Sequence, residues 1–550
     1  MADNALKKGR YTKYSNKIGL YSNSRGSFVK NDTSVVLNFP FKDAVLEAGM
    51  SKEDVGREER FLHLELDSKD IDTLEEPKVL TNFLYVDKDG EKALTDDSDV
   101  EFFDEDGKLK QNLLIKGNNL LALHTLKSRL AGQVKLIYID PPYNTGGDGF
   151  KYNDKFNHSA WLAFMKNRLE VAKDLLCDDG AIFVQCDDNE QAYLKVLMDE
   201  VFGSDNFRNV IKWRKVLSAK AQSINLSSVS EYILVFSKTE DFAFNEYYLE
   251  TNSEKDGVNY RHVEETTGRV YRLSDFTQKG QGEPKMFGDK LLAPPQGKHW
   301  IWSQEKINEA MGRGLLIFSK NGIPSVKRYL DEKAGIPLSD LWDDDATKII
   351  SAMDAQRVSN FDGQKPEGLI QRVIEISTSE GDIVLDYHLG TGTTSSVALK
   401  MNRRWVGIEQ MDYIEGIAKE RLEKVVAGDQ TGISKSVDWS GGGSFVYFEL
   451  KKYNQEYLER IIEATSLSEL EDLYVDMRNN AFLKFWFDRH AFEKDEDFRK
   501  LDLDGRKKAL ADVLDENQLY LNYADIGDTR HNVTADEKKL TDKFYGSNQN

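Results

Sequence analysis

Cysteine is nearly missing from this chain: Cys177 and Cys186 are the only two in 550 residues, and they form no CxxC pair. That argues against a disulfide framework. With the eight histidines scattered singly, it also argues against a structural zinc site, so no metal is expected. No window holds an unbroken apolar run of about 18 residues, which argues against a transmembrane helix and a membrane partner. The opening MADNALKKGRYTKYSNK is basic but has no apolar stretch, so it does not read as a secretory signal. Scarce thiols and no export signal together predict a reducing, cytoplasmic setting. A GxxxxGK[ST] phosphate loop is missing too, so no P-loop motor is expected on this chain.

Positive charge is outnumbered, 74 basic residues against 94 acidic ones. The net charge is −20, but it is spread unevenly: residues 1–30 carry a net of +6, residues 41–110 a net of −12 and residues 205–329 a net of +4. Binding a polyanion needs a local basic face rather than a basic protein, so the overall balance neither excludes nor supports nucleic acid. The length is too great for one core and predicts about two to four domains.

What is present begins with a pattern of alternating strands and helices. NNLLALHTLKSRLAG (118–132) reads as an amphipathic helix stopped by Gly132, and KLIYID as the strand after it. SAWLAFMKNRLEVAKDLL (159–176) puts Trp161, Met165, Leu169, Ala172 and Leu176 on one helical face, with Ser159 as N-cap. AIFVQCDD reads as the next strand and NEQAYLKVLMDEVFG as a helix closed by Gly203. This alternation predicts a doubly wound, largely parallel α/β sheet. It lapses over 205–355, a mixed polar stretch with one clear strand, EYILVFSK, and resumes at GDIVLDYHLGTGTTSSVALKMNRRWVGIEQ. DWSGGGS (438–444) reads as a linker. The expected division is an α+β appendage over 1–110, core halves over 111–204 and 356–430, an insertion over 205–355, and a mostly helical region over 431–550.

Two constellations carry chemistry. In LIYIDPPYNTGG a buried strand runs into Asp140, Pro141, Pro142 and Tyr143; the prolines end the strand and stiffen a turn at its C-terminal end, where open α/β sheets bind ligands. The bland reading is a proline-stiffened loop with Tyr143 packed on the core. The functional reading is an exocyclic adenine amine made nucleophilic by two acceptors, the Asp140 carboxylate and a proline-held carbonyl. Tyr143 then supplies a ring for the extruded base while the amine attacks the methyl of S-adenosylmethionine. In DIVLDYHLGTGTTSS, Gly390 and Gly392 form a tight loop into a helix opening at Thr393 and Thr394, and Glu409 follows nineteen residues after Gly390. Backbone N–H groups and a helix N-terminus suit an anionic or nucleotide ligand, and the acid suits ribose hydroxyls. An ordinary strand–turn–helix junction would also account for the loop, and the third glycine of a dinucleotide fingerprint is missing.

DPPYNTG far upstream of DYHLGTGTT, with GQKPEGLIQRVIEIST between them, resembles the β-class DNA amino-methyltransferases, whose catalytic motif precedes the cofactor motif. DPPYNTGGDGFKYNDKFNHSAWLAFMKNRLE, GAIFVQCDD and MNRRWVGIEQMDYIE resemble, more closely, the modification subunit of type III restriction–modification systems. The resemblance implies a Rossmann-like methyltransferase sheet with a target-recognition domain inserted at 205–355. It implies adenine-N6 methylation of double-stranded DNA, with Asp140, Pro141, Pro142 and Tyr143 catalytic. Asp140, Lys365, Pro366, Asp386, Gly390, Thr391, Gly392, Thr393, Thr394 and Glu409 would bind S-adenosyl-L-methionine. It further implies a homodimer and a helicase–nuclease restriction subunit as partner, with 431–550 as the dimer or partner region. His388 and Leu389 depart from the Phe-Ala usual in the class, and His388 reads as a packed loop residue. Asp187 and Asp188 read equally as cavity lining or as a helix N-cap, KWRK (212–215) as DNA contacts or a solvated face with one buried Trp, and FLKFWFDRH (482–490) as an interface or a helical core. A stand-alone DNA amino-methyltransferase and a catalytically silent specificity subunit stay open as alternatives.

Overall fold

The computed structural model describes residues 75–145, 158–216, 226–249, 260–332, 335–350, 354–358, 361, 363–483, 492–493, 496–514 and 519–546. It also describes short strands before them: Tyr11–Tyr14, Lys17–Ser22 and Ser27–Phe28 in one antiparallel group, and Asp43–Ala44 paired with Phe61–Leu62.

Eleven strands form the main sheet. In chain order they are β1 (Leu80–Asp87), β2 (Gly90–Ala93), β3 (Asn112–Lys116), β4 (Val134–Ile139), β5 (Leu176–Cys186) and β6 (Phe207–Arg214). They continue with β7 (Ser230–Ser237), β8 (Leu341–Trp342), β9 (Ile383–Asp386), β10 (Arg404–Glu409) and β11 (Phe445–Leu450). Their spatial order is β8-β6-β7-β5-β4-β9-β10-β3-β11-β1-β2. The centre, from β5 through β11, is parallel throughout, and antiparallel partners extend it on both sides. Helices cover both faces of a parallel centre, so its strands carry continuous apolar runs rather than an alternation. Thus IVLD of β9 is buried at every position and VKLIYI of β4 at all but Lys135.

The helices that matter for the site are α1 (Asn119–Leu130), α2 (His158–Leu175), α3 (Gln191–Phe202), α4 (Glu367–Ser377) and α5 (Thr393–Lys400). Asn118 caps α1 by accepting from the N–H groups of Leu120 and Leu121, and Gly132 follows it at φ 72°. Gly203 ends α3 at φ 94°. Trp161, Met165, Leu169 and Ala172 of α2 are all fully buried, whereas Leu176 has already entered β5. No helix among the described residues is long and apolar enough to cross a membrane.

β4 and β9 are neighbours, and the chain winds away from them in opposite directions: β4 through α2 to β5, and β9 through α5 to β10. A crevice therefore opens at the C-terminal ends of these two strands, where Asp140 and Asp386 stand. Sheet topology alone brings together two motifs far apart in sequence.

Several boundaries differ from the sequence reading. The chain divides into two compact units, and the inserted one is Phe244–Asp340 rather than 205–355. Residues 207–214 and 230–237 are strands β6 and β7; EYILVFSK was read as a strand, but the place of both in the main sheet was not, because antiparallel strands need no intervening helix. Residues 80–93 form its other edge, and the 431–550 region contributes β11 between β3 and β1. The glycines of DWSGGGS lead straight into β11 instead of separating domains, and helix Ala535–Tyr545 is tied to β1, where Thr541 Oγ1 accepts from Leu80 N–H at 3.2 Å. Ser159 lies inside α2 rather than capping it. Neither Asp187 nor Asp188 caps α3, whose N-cap is Glu190. Most of FLKFWFDRH, residues 484–490, lies outside the described residues.

The inserted unit has its own core of Phe276, Phe287, Trp300, Trp302, Ile307, Ala310 and Val326. Its largest sheet orders His262–Val263, Val270–Ser274, Pro324–Tyr329 and Leu316–Phe318. Phe244–Asp340 carries equal numbers of acidic and basic residues. Half of the basic excess read over 205–329 comes from strands β6 and β7 and their flanks, and the rest is balanced by acids between 330 and 340.

Candidate active site

A cavity of about 430 Å³ opens at the crevice, within the range of small-molecule sites. Asp140, Pro141, Pro142 and Tyr143 line it from one side. Lys365, Asp386, Gly390, Thr391, Thr393, Thr394 and Glu409 line it from the other. Gly392 and Pro366 do not face it. Gly392 sits at φ 76°, the left-handed conformation that starts α5, and Pro366 is the N-cap residue of α4.

The DPPY turn is locked from behind. The indole N–H of the buried Trp161 donates to the Pro142 carbonyl at 2.7 Å. Among the described residues no hydrogen bond to the Pro141 carbonyl is found, so this is the turn's open acceptor beside Asp140. Asp140 forms an ion pair through Oδ2 with Lys365 Nζ, and its Oδ1 accepts from the Tyr143 hydroxyl at 2.5 Å. Burial pushes the Asp140 carboxyl above the usual range and nearby Glu231 adds to this, while Lys365 and Tyr143 pull against it. Burial works against the Lys365 charge, but Asp140 and Glu231 hold its pKa above the ordinary lysine value. The ammonium also lies 5.3 Å from the centre of the Tyr143 ring.

On the opposite wall, Asp386 organises the glycine loop. Its carboxylate accepts from Thr394 Oγ1 at 2.6 Å and from the His388 N–H at 3.0 Å. Burial drives its pKa up to about 7 despite those donors. Glu409 accepts from the backbone N–H of Gly390 and Gln410 at 2.9 Å each and of Met411 at 3.1 Å, so it braces the loop as well as lining the cavity. Thr391 and Thr393 are tied together by Arg421, whose guanidinium donates to their hydroxyls at 3.2 and 2.8 Å. Behind Lys365-Pro366, the buried Glu367 accepts from Ser396 Oγ at 2.9 Å and from Lys400 Nζ and Arg421 Nη2 at 2.8 Å each, joining α4 to α5.

His388 is packed rather than poised for proton transfer. Its ring lies 5.7 Å from that of Phe164, and burial, with Arg168 adding to it, holds the imidazole neutral. The Nε2 atom is buried in the cavity wall with no hydrogen-bond partner among the described residues.

The motifs missed part of the site. Glu231, at the start of β7, and Lys215 both line the cavity and pair at 2.7 Å. Phe361 and Tyr413 form an edge-to-face pair on its rim, with ring centres 5.4 Å apart. Asp187 lines the cavity and accepts from the Asn189 N–H in a turn at 2.9 Å. In KWRK, Trp213 is buried, its indole donates to the Thr347 carbonyl at 2.7 Å, and Lys215 faces the cavity. The acid opening EYILVFSK was the one sequence signal for Glu231, and it looked like any exposed strand end.

The sequence model of a family described as DNA methylase matches residues 134–420, spanning β4 to the helix after β10. A protein of Haemophilus influenzae, named as a probable type III restriction-modification enzyme HindVI Mod subunit, is 35% identical across 97% of this chain and 88% of its own length. The type III enzyme StyLTI Mod subunit of Salmonella typhimurium is 31% identical over 54% of this chain and 51% of its own. The type II methyltransferase M.EcaI of Enterobacter cloacae is 28% identical over 74% and 92% respectively.

Proposed function

The chain belongs to the DNA methylase family and, within it, to the Mod subunits of type III restriction-modification enzymes, and on that premise we propose that it transfers a methyl group from S-adenosyl-L-methionine to adenine N6 in duplex DNA. The observation that carries this reading is the single cavity shared by the Asp140 turn and the glycine loop. A site for a methyl donor and a site for an amine must share one space.

The cavity suits the donor. It offers hydrogen-bond acceptors in Asp386 and Glu409, a cation in Lys365, a helix N-terminus at Thr393 and an unpartnered His388 Nε2. Those side chains, with Gly390 and Thr391, would hold it. S-adenosyl-L-methionine, when bound, supplies an electrophilic methyl on a sulfonium.

Everything else falls to the chain. Asp140 and the Pro141 carbonyl accept the two amine hydrogens, which frees the nitrogen lone pair from the ring. Tyr143 offers a face to the extruded base, and the DPPY turn, fixed by Trp161, keeps these groups in register. Lys365 holds Asp140 toward its charged, accepting form.

The inserted unit Phe244–Asp340 is the proposed target-recognition domain, because the sheet is complete without it and it has a separate core. A homodimer working with a helicase–nuclease subunit in the cytoplasm completes the proposal, supported by the likeness to Mod subunits over nearly the whole chain. The test is expression in a host without adenine methylation, followed by sequencing that detects modified adenine. One methylated motif is expected with the parent protein and none with Asp140→Ala. Unmodified DNA from a host making soluble parent protein would refute the proposal.

A further inference from the structure

The cavity contains a carboxylate that no motif accounts for. Glu231 begins an antiparallel strand outside the parallel centre, and its side chain is only 7% exposed. Its Oε1 accepts from Lys215 Nζ at 2.7 Å and its Oε2 from Gln185 Nε2 at 2.6 Å. The Tyr143 hydroxyl also lies 3.0 Å from Oε2, while sitting 2.5 Å from Asp140 Oδ1 on its other side. A phenol has one proton, so it cannot donate to two carboxylates at once. Two ionised carboxylates flanking one hydroxyl would leave two oxygens in contact with no hydrogen between them. The hydroxyl is therefore shared between Asp140 and Glu231, donating to one at a time.

Cations stand at both ends, Lys365 on Asp140 and Lys215 on Glu231. Other titratable groups whose charge reaches Asp140, Glu231 or Lys215 are Tyr138, Asp386 and Asp187. Burial alone would push Glu231 up, but Lys365 and Lys215 hold it below the usual range. Asp140 is pushed the opposite way. Glu231 is therefore the stronger acid of the two, so a proton that the row takes up in acid goes to Asp140, and above that pH Asp140 is free to accept.

We propose that Glu231 is a positioning residue for methyl transfer, gripping the Tyr143 hydroxyl opposite Asp140 so that ring and carboxylate are set as one unit before a base arrives. This rests on reading the cavity as the transfer site. If Glu231 served only to neutralise Lys215 and satisfy Gln185, its loss would lower stability and leave the chemistry of Asp140 alone.

The experiment uses full-length protein, saturating S-adenosyl-L-methionine and a DNA duplex carrying the target motif found by sequencing. Single-turnover methylation is measured from pH 5 to 9 for the parent, Glu231→Gln, Tyr143→Phe and the double variant. Methylation by the parent tests the transfer reading itself, and the variants test Glu231. Glu231→Gln is expected to slow transfer by about tenfold, the worth of a hydrogen bond to a charged group. Its acid limb should move to lower pH, because Asp140 loses a neighbouring negative charge. The double variant should be no slower than the slower single one, since both remove the same contact. Glu231→Asp covers the case in which Glu231→Gln does not fold. It withdraws the oxygen from Tyr143 but keeps the charge, so transfer should slow without a shift of the acid limb. A parent-like rate and pH profile in the folded Glu231 variants, or losses that multiply in the double variant, would overturn the assignment.

Discussion

Asp386→Asn should make this protein less stable in acid and more stable in mild alkali. In the fold, burial pushes the Asp386 pKa up to about 7, against 3.8 for the free side chain, which serves for the unfolded chain. Between those values the unfolded chain has lost the proton while the native one keeps it, so stability falls as pH rises and the full penalty is present above the folded pKa. A shift of about three units at about 1.36 kcal/mol each sets an upper bound near 4 kcal/mol. Asparagine carries no charge and escapes this penalty. It offers one acceptor oxygen where the carboxylate serves both the Thr394 hydroxyl and the His388 N–H, a loss of about 1 kcal/mol. At pH 4 the lost hydrogen bond should prevail, and at pH 8 the removed charge should, by roughly 3 kcal/mol. Melting temperatures of both proteins without S-adenosyl-L-methionine, taken in half-unit steps from pH 3.5 to 8.5, should therefore cross at about pH 4.5. Parallel curves would refute the reasoning, because they would mean that Asp386 keeps the same pKa in both states.

Asp140→Ala should abolish turnover while leaving binding of S-adenosyl-L-methionine and DNA nearly unchanged, because the carboxylate acts on the amine in the transition state; near-normal turnover would remove it from the mechanism. Tyr143→Ala should lower transfer efficiency by roughly ten- to a hundredfold through lost stacking, whereas Tyr143→Phe keeps the ring and should lose less. A 2-aminopurine at the target position should brighten with the Phe variant and not with Ala, and equal brightening in both would return Tyr143 to a packing role. Exchange of Phe244–Asp340 for the matching unit of a relative with another target should change which adenine is methylated; a folded chimaera that keeps the original motif would refute the recognition assignment.

The sequence alone determined the order of events along the chain. Apolar runs at β4 and β9, each ending in an acid, announced a parallel sheet. Prolines and glycines, which have few alternative uses at strand ends, marked the two turns that carry chemistry. Only the tertiary structure decided what meets those turns. The adjacency of β4 and β9 follows from strand order, which no local pattern encodes. Antiparallel additions such as β6, β7 and β11 follow from hydrogen-bonding partners far away in sequence, which is why 205–355 was drawn too wide and DWSGGGS looked like a linker. Glu231 and Lys215 are ordinary charged residues near strand ends until the sheet folds them into the cavity. There the low dielectric binds two carboxylates, a phenol and two ammonium groups into one set. The shifted pKa values of Asp140, Glu231 and Lys365 are properties of burial and neighbours, and neither exists in the unfolded chain.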